Sequence, residues 1–269
     1  MKNKEVVCGL GEIGKPIFNL LSTSFTTQGF DIDSKCIPKS KLNFEKYETR
    51  FLHICIPFNP KFQSNLQALT KQFSPKGIVI HSTISPGTTK KLQQKIKNIP
   101  IIYSATRGLH KRMYSDLKKY SKFFSIEKNT PNEKWASSQF ASMMKKCGVK
   151  TKKMSTPVSL ELAKIVVDTT YYGWLINYAQ LSNVIAKKHK VDYDEMWSFA
   201  DEIHKYVGNR PKLFPGFIGG HCVIPNLKLI DDDQLWQVNK INEFYLKKIP
   251  SAKKINKKYE KSKKQSYDV

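Results

Sequence analysis

Residues Gly9-Leu10-Gly11-Glu12-Ile13-Gly14 place three glycines in the spacing GxGxxG. The motif follows a short apolar run, 4–10, and precedes a stretch, 15–24, that reads as a helix, the context a phosphate-cradling turn requires. The first glycine makes the tight turn, the second lets a pyrophosphate approach the backbone, and the third lets helix pack on strand. The helix N-terminus adds free N–H groups for the phosphate. Asp31 stands 17 residues after Gly14, at the end of a predicted second strand, 28–33. There a carboxylate can accept both ribose hydroxyls of a dinucleotide and repels a 2′-phosphate, so NAD is the expected cofactor. Asp33 is the rival for that role, and a sharp strand–helix turn without ligand is the plain alternative.

A second constellation lies late in the chain. Cys222 ends Pro215-Gly216-Phe217-Ile218-Gly219-Gly220-His221-Cys222, and glycines at this density allow a ligand close to the backbone. A helix beginning near Pro225 would turn its positive end toward a Cys222 thiolate, and His221 could polarise the thiol or face a substrate. The plain alternative is an inert buried cysteine. Glu161, Lys164 and Asp168 form a polar stripe at i, i+3 and i+7 on a predicted helix, which by itself fits a surface ion-pair ladder. The other four cysteines sit in or beside apolar elements and read as packing residues. His53 and His81 fall on predicted strands and fit satisfied core histidines. No His/Cys/Asp spacing points to a metal.

The elements that must position these residues change character along the chain. FLHICIPF (51–58) and KGIVIHST (76–83) are continuous apolar runs of the kind buried on both faces of a parallel sheet. Further strands are expected at 100–104 and 122–126, with a helix over 132–147. The alternation predicts a Rossmann-type doubly wound parallel α/β sheet. Beyond about residue 155, Leu160, Ala163, Val167, Tyr171, Trp174, Tyr178, Leu181 and Ile185 recur at helical spacing, predicting one long helix in an all-helical domain. A second helix is expected from an Asp192 cap, with Glu195 completing a capping box, to Gly208, and a last one over 227–247. The expected domains are therefore 1–154, 155–247, and a basic, disordered tail, 248–269.

The 269 residues carry a formal charge of +24, and 12% are aromatic, enough for a real core. Nine lysines against Glu260 and Asp268 load the segment 247–269, and the whole chain has only four arginines. Base-reading proteins lean on arginine forks. This lysine-rich charge rather suggests a solvated coat and small anionic ligands, so a nucleic-acid function is not expected. No run reaches the length of a membrane span and the N-terminus lacks a signal-peptide core, so a cytoplasmic protein without membrane contact is expected.

The order of these pieces resembles the UDP-glucose/GDP-mannose dehydrogenase family, the nucleotide-sugar 6-dehydrogenases. The carrying segments are GLGEIGKP (9–16), FDID (30–33), ICIP (54–57), HSTISPGTT (81–89), ELAKIVVDTTYYGWLINYAQ (161–180) and GFIGGHCVIPN (216–226). The resemblance implies an NAD-dependent oxidation of an alcohol of a sugar or sugar nucleotide, through a thiohemiacetal on Cys222. Lys164 matches the family's catalytic lysine and Thr83 a threonine near the nicotinamide. Glu12, Ile13 and Pro57 would join Gly9, Gly11, Gly14, Asp31 and Thr83 around the cofactor. Arg107, Gly219, Gly220 and His221 would contact the small-molecule substrate. The long helix, 159–188, would build a homodimer.

The chain also departs from that pattern. The family's Ser-Pro-Glu is Ser104-Ala105-Thr106 here. Asp168 stands for its asparagine and Asn226 for its aspartate, so a carboxylate has changed position. The family's further α/β domain, which grips the nucleotide of the substrate, has no counterpart in these residues. A non-catalytic NAD-binding module or accessory subunit, and a 3-hydroxyacid-type two-electron dehydrogenase using Lys164 without a cysteine, stay open beside the leading reading.

Overall fold

The computed structural model describes residues 2–207, 215–219, 222–230 and 232–252, apart from the side chains at 110, 205 and 207. The chain divides into two compact units, one ending at Lys164 and one beginning at Ile165.

The first unit is a seven-stranded sheet with helices on both faces. Its strands are β1 (Lys2–Cys8), β2 (Thr27–Phe30), β3 (Tyr47–Ile54), β4 (Gly77–Ile80), β5 (Ile101–Tyr103), β6 (Lys122–Ile126) and β7 (Thr151–Lys153), in the order β2-β1-β3-β4-β5-β6-β7. The chain leaves β1 to one side for β2, then crosses to the other for β3. The switch point therefore lies at the carboxyl ends of β1 and β3, the position where open α/β sheets bind ligands. All pairs are parallel except β5–β6, so the expected parallel sheet carries one antiparallel step. The short connection through α4 (Met113–Lys119), a helix not foreseen from sequence, brings the chain back in the opposite sense. β7 was likewise not foreseen; its residues, Thr-Lys-Lys, lack an apolar signature.

Alternation along the strands explains the two-sided core. Val7, Phe51, Val79 and Ile102 pack into one layer with α1 (Gly14–Ser22) and α5 (Glu133–Lys146). Val6, Leu52, Ile78 and Ile80 pack into the other with α2 (Phe62–Phe73) and α3 (Thr88–Lys95). Every one of these side chains is fully buried, which is why the runs read as continuous rather than alternating.

A long joined helix leads into the second unit: α6 (Pro157–Leu162), a π-helical stretch (Ala163–Thr170) and α7 (Tyr171–Lys188). α8 (Tyr193–Val207) and α10 (Gln237–Lys248) pack against α7. Asp192 caps α8 through Glu195 N at 2.8 Å, as the capping signal predicts, whereas the expected stop at Gly208 lies outside the described residues. The last predicted helix, 227–247, forms only from Gln237 onward as α10, and a short α9 (Val223–Leu227) precedes it; between them Asp232 accepts from the N–H groups of Gln234 and Leu235, both at 2.9 Å, and holds a turn.

The apolar face of the long helix is largely uncovered in the single chain: Leu160 is buried, but Val167 (68% exposed), Tyr171, Trp174, Tyr178 (65%) and Ile185 point to solvent. The buried face carries Thr169, Thr170, Gly173, Asn177 and Gln180 instead. At the start of the segment expected as a tail, Ile249 and Ala252 are buried with Tyr245. Most of that tail, 253–269, lies outside the described residues.

Candidate active site

The glycine turn sits at the switch point. Gly9 adopts φ +85°, open to a residue without a side chain, and a Cβ there would meet the Cys55 backbone at 3.0 Å. Gly14 opens α1 one position earlier than the sequence suggests. Gly11 is exposed with no atom within 4 Å of where its Cβ would be, so space for a ligand adjoins its backbone. Glu12 is exposed, Ile13 half-buried, and Pro57, in the loop after β3, exposed.

Asp31 lies one residue beyond the end of β2. Its Oδ2 accepts from Leu10 N at 2.6 Å, inside the glycine turn, and its Oδ1 from Asp33 N at 2.9 Å. Asp33 spends its carboxylate locally, accepting from Lys35 N at 3.0 Å. Of the two candidates, Asp31 is the one tied to the glycine loop. Ile32 between them is wholly exposed. Cys36 is exposed as well, with its thiol 3.7 Å from Asp33 Oδ2, so it is not the packing residue expected. Its neighbourhood, a short 3₁₀ turn with no buried residue, offers no core to enter.

The loops after β3, β4 and β5 are laced together. Ser82 Oγ donates to Ile56 O at 2.6 Å, and Thr106 N donates to His81 O at 3.2 Å. Thr83 is half-buried in the middle loop. Behind these strand ends runs a buried polar chain. Arg50 Nε donates to Glu5 at 2.6 Å, His53 Nε2 is 3.3 Å from Glu5, and His53 Nδ1 is 3.0 Å from His81 Nε2. His81 Nδ1 faces Ser104 O at 3.2 Å. A carbonyl only accepts, so His81 donates from Nδ1 and His53 donates to its Nε2. Both histidines are the satisfied core residues expected, and burial, followed by the Lys122 charge and then the His53 charge, holds His81 well below the ordinary histidine range.

The Arg107 guanidinium is partly engaged. It donates to Ser121 O at 2.8 Å and lies over the rings of Phe123 and Tyr120, at 4.9 and 5.6 Å.

Glu161 differs from its reading as part of a surface stripe. It is fully buried and caps α3: its carboxylate accepts from Gly87 N at 2.5 Å, from Thr89 N at 3.0 Å and from Thr89 Oγ1 at 2.6 Å. Burial raises its carboxyl above the usual range despite these hydrogen bonds. Glu161 thereby fixes the HSTISPGTT loop to the helix that carries Lys164. Lys164 and Asp168 lie on the π-helical stretch, a conformation that is rare and concentrated at functional sites.

In the second unit Cys222 is exposed at the N-cap of α9. One turn later, Asn226 Nδ2 reaches Thr169 Oγ1 at 3.4 Å, which brings Asn226 beside the segment bearing Asp168. A Cβ on Gly173 would come within 2.8 Å of Val223, so that glycine allows α9 to seat on α7. Gly219 is exposed; Gly220 and His221 lie outside the described residues.

Sequence reasoning missed what holds the cysteine loop. Tyr245 Oη donates to Pro215 O at 2.5 Å, and Gln180 Nε2 to Gly216 O at 2.6 Å. Asn242 accepts from Ile218 N at 2.9 Å and donates to Ile218 O at 3.0 Å. Gln180 also reaches Asn242 Oδ1 at 3.2 Å, and Asn177 donates to Gln180 Oε1 at 2.8 Å. Buried amides on helix faces were the available signal, visible only once the buried face of α7 is known.

No protein-family model matches the chain, and a sequence search of curated proteins finds no match. Solved structures do match. The UDP-D-ManNAc dehydrogenase of Pyrococcus horikoshii aligns over 90% of this chain and 68% of its own, at 18% identity and TM-score 0.74. The UDP-N-acetyl-mannosamine dehydrogenase of Staphylococcus aureus aligns over 92% and 69%, at 20% identity and TM-score 0.66. The 3-hydroxyisobutyrate dehydrogenase of Mycobacterium tuberculosis aligns over 94% and 95%, at 14% identity and TM-score 0.64. The likeness is one of fold.

Proposed function

We propose that the chain is an NAD-dependent dehydrogenase of CH–OH groups, acting on an alcohol of a sugar or sugar nucleotide through Cys222. The observation that carries this reading is the Asp31 carboxylate hydrogen-bonded into the glycine turn at the β1/β3 switch point. The residues present fit a dinucleotide: the open side of Gly11 and the start of α1 suit a pyrophosphate, and Asp31 suits a ribose diol while repelling a 2′-phosphate. Glu12, Ile13, Pro57 and Thr83 complete that set. When bound, NAD supplies the hydride acceptor.

The chain's own groups then divide the work. The Lys164 ammonium stabilises the developing oxyanion. Cys222, as thiolate, adds to the aldehyde formed in the first oxidation, and Asp168 and Asn226 handle the water that releases the acid. Arg107, Gly219, Gly220 and His221 orient the substrate. The solvent-facing apolar residues of α7 support a homodimer through the helix 159–188. Among the described residues no helix is long and apolar enough to cross a membrane. The domain reading that accompanies this function is a cofactor domain over 1–154, a catalytic and dimerisation domain over 155–247 and a basic tail from 248.

A second reading is a two-electron dehydrogenase of 3-hydroxy acids using Lys164 alone. The alignment over 95% of the 3-hydroxyisobutyrate dehydrogenase favours it. Calorimetry with NAD⁺ and NADP⁺ on the full chain tests the common first step. Binding of NAD⁺ with at least about tenfold weaker NADP⁺ supports it, and binding of neither sinks it. A screen of UDP-hexoses, UDP-N-acetylhexosamines and 3-hydroxy acids with Cys222→Ser then separates the two: the variant loses the four-electron reaction and keeps the two-electron one.

A further inference from the structure

Lys122 is an unusual residue for the middle of a fold. It lies on β6 with 5% of its surface exposed, yet among the described residues no carboxylate is bonded to it. Its Nζ meets three oxygens at the carboxyl end of β5: Ser104 O at 3.0 Å, Thr106 Oγ1 at 3.3 Å and Ala105 O at 3.5 Å. Its charged and titratable neighbours are Cys55 after β3, His81 after β4, Arg107 after β5, and Lys164. Lys122 also lines a small surface opening with Ala105, Arg107 and Tyr120.

The donor count makes this arrangement more than a structural tie. An ammonium has three N–H groups for three acceptors. A neutral amine has two, which satisfy the carbonyls, and a lone pair, which accepts the Thr106 hydroxyl proton. The same heavy-atom positions therefore serve both protonation states, with only the Thr106 hydroxyl reversing its direction. Burial pushes the amine down to about 7, with Lys164 and Arg107 adding to the effect and Cys55 opposing it. A base titrating there is matched to neutral pH.

Position follows from strand order. Asp31 beyond β2 marks the adenosine side and the glycine turn after β1 the pyrophosphate. The other half of a bound dinucleotide then extends over the ends of β3, β4 and β5, where Thr106 N is bonded to His81 O. We propose that Thr106 and Lys122 form a hydroxyl–amine pair that faces the nicotinamide half of the crevice and takes up the proton of the substrate alcohol. The pair rests on the dehydrogenase reading above. In the step, the alcohol is oxidised to the carbonyl and its hydride reduces the bound NAD⁺. Its hydroxyl proton passes to Thr106 Oγ as the Thr106 proton passes to Lys122 Nζ, and Lys122 returns that proton to water.

The test uses the full chain labelled with [6-¹³C]lysine, with Lys122→Arg to assign the signal. One lysine titrates with a midpoint near neutrality. Saturating NAD⁺, whose ring is positive, raises its proton dissociation constant at least about threefold relative to NADH, whose ring is neutral. Equal midpoints in the two complexes, or titration in the ordinary lysine range throughout, overturn the pair while leaving the dehydrogenase reading intact. Failure of NAD⁺ and NADP⁺ to bind in calorimetry removes both. With the alcohol found in the screen, Thr106→Val lowers kcat/KM by about 10²–10⁴-fold and Thr106→Ser restores it; an unchanged rate in Thr106→Val overturns the relay.

Discussion

The Cβ that Gly14 lacks would lie 1.6 Å from the carbonyl oxygen of Gly9. No side-chain rearrangement relieves such a contact, because both partners are backbone. The first and last glycines of the turn therefore exist as a pair, one for a left-handed conformation and one for the closure of helix on strand.

Gly14→Ala is expected to destabilise the first unit by several kcal/mol, on the order of the larger single-site effects, and to abolish NAD⁺ binding. Gly11→Ala is expected to leave the melting temperature unchanged, since nothing lies within 4 Å of its Cβ, and to weaken NAD⁺ at least about tenfold by filling ligand space. Thermal melts and calorimetry on both variants check this contrast.

Stability should depend on pH through two buried bases. His81 is held neutral, so the unfolded chain binds the extra proton, and stability is lost as pH falls below the ordinary value of about 6.5. Lys122 titrates near 7 in the fold and about 10.4 when unfolded, so stability rises as pH increases through that interval. Lys122→Met should flatten the second slope, melting higher relative to the parent at pH 7 than at pH 10. A parallel pH dependence in both proteins would refute the assignment.

Asn242→Leu leaves Ile218 N–H and O without their partner and removes one contact of Gln180. A loss of about 2–4 kcal/mol is expected from the buried groups left unsatisfied. Iodoacetamide labelling of Cys222 should change in rate and pH profile, because the segment 215–218 no longer holds its register. Asn242→Asp, which still accepts from Ile218 N, should fall between the two.

Glu161→Ala removes three hydrogen bonds at the start of α3. We expect a loss of about 2–4 kcal/mol and weaker NAD⁺ binding, since the loop bearing Thr83 loses its tether. Gln, which can accept only through one oxygen, should recover part of both.

The exposed apolar face of α7 predicts a change of assembly state on charge insertion. Tyr178→Lys with Ile185→Lys should shift a homodimer to monomer in sedimentation equilibrium without lowering helix content, because both residues face solvent in the single chain. A parent chain that sediments as a monomer at all concentrations would end the dimer reading.

By itself the sequence determined the α/β order, the glycine turn after the first strand, the acid beyond the second and the existence of a long helix. Each of these is local: apolar runs, turn residues and caps act within a few positions, so their spacing is legible along the chain. Tertiary structure alone decided which face of that helix is buried. The stripe from Val167 to Ile185 has the periodicity of a core face, yet the interior takes Gly173, Asn177 and Gln180, because the Gly216 carbonyl and Asn242 on α10 offer hydrogen-bonding partners there. It likewise turned Glu161 inward and placed Lys122 beneath Thr106. Periodicity reports that a face is apolar, not what covers it, and a buried polar group is tolerable only where distant segments supply its partners.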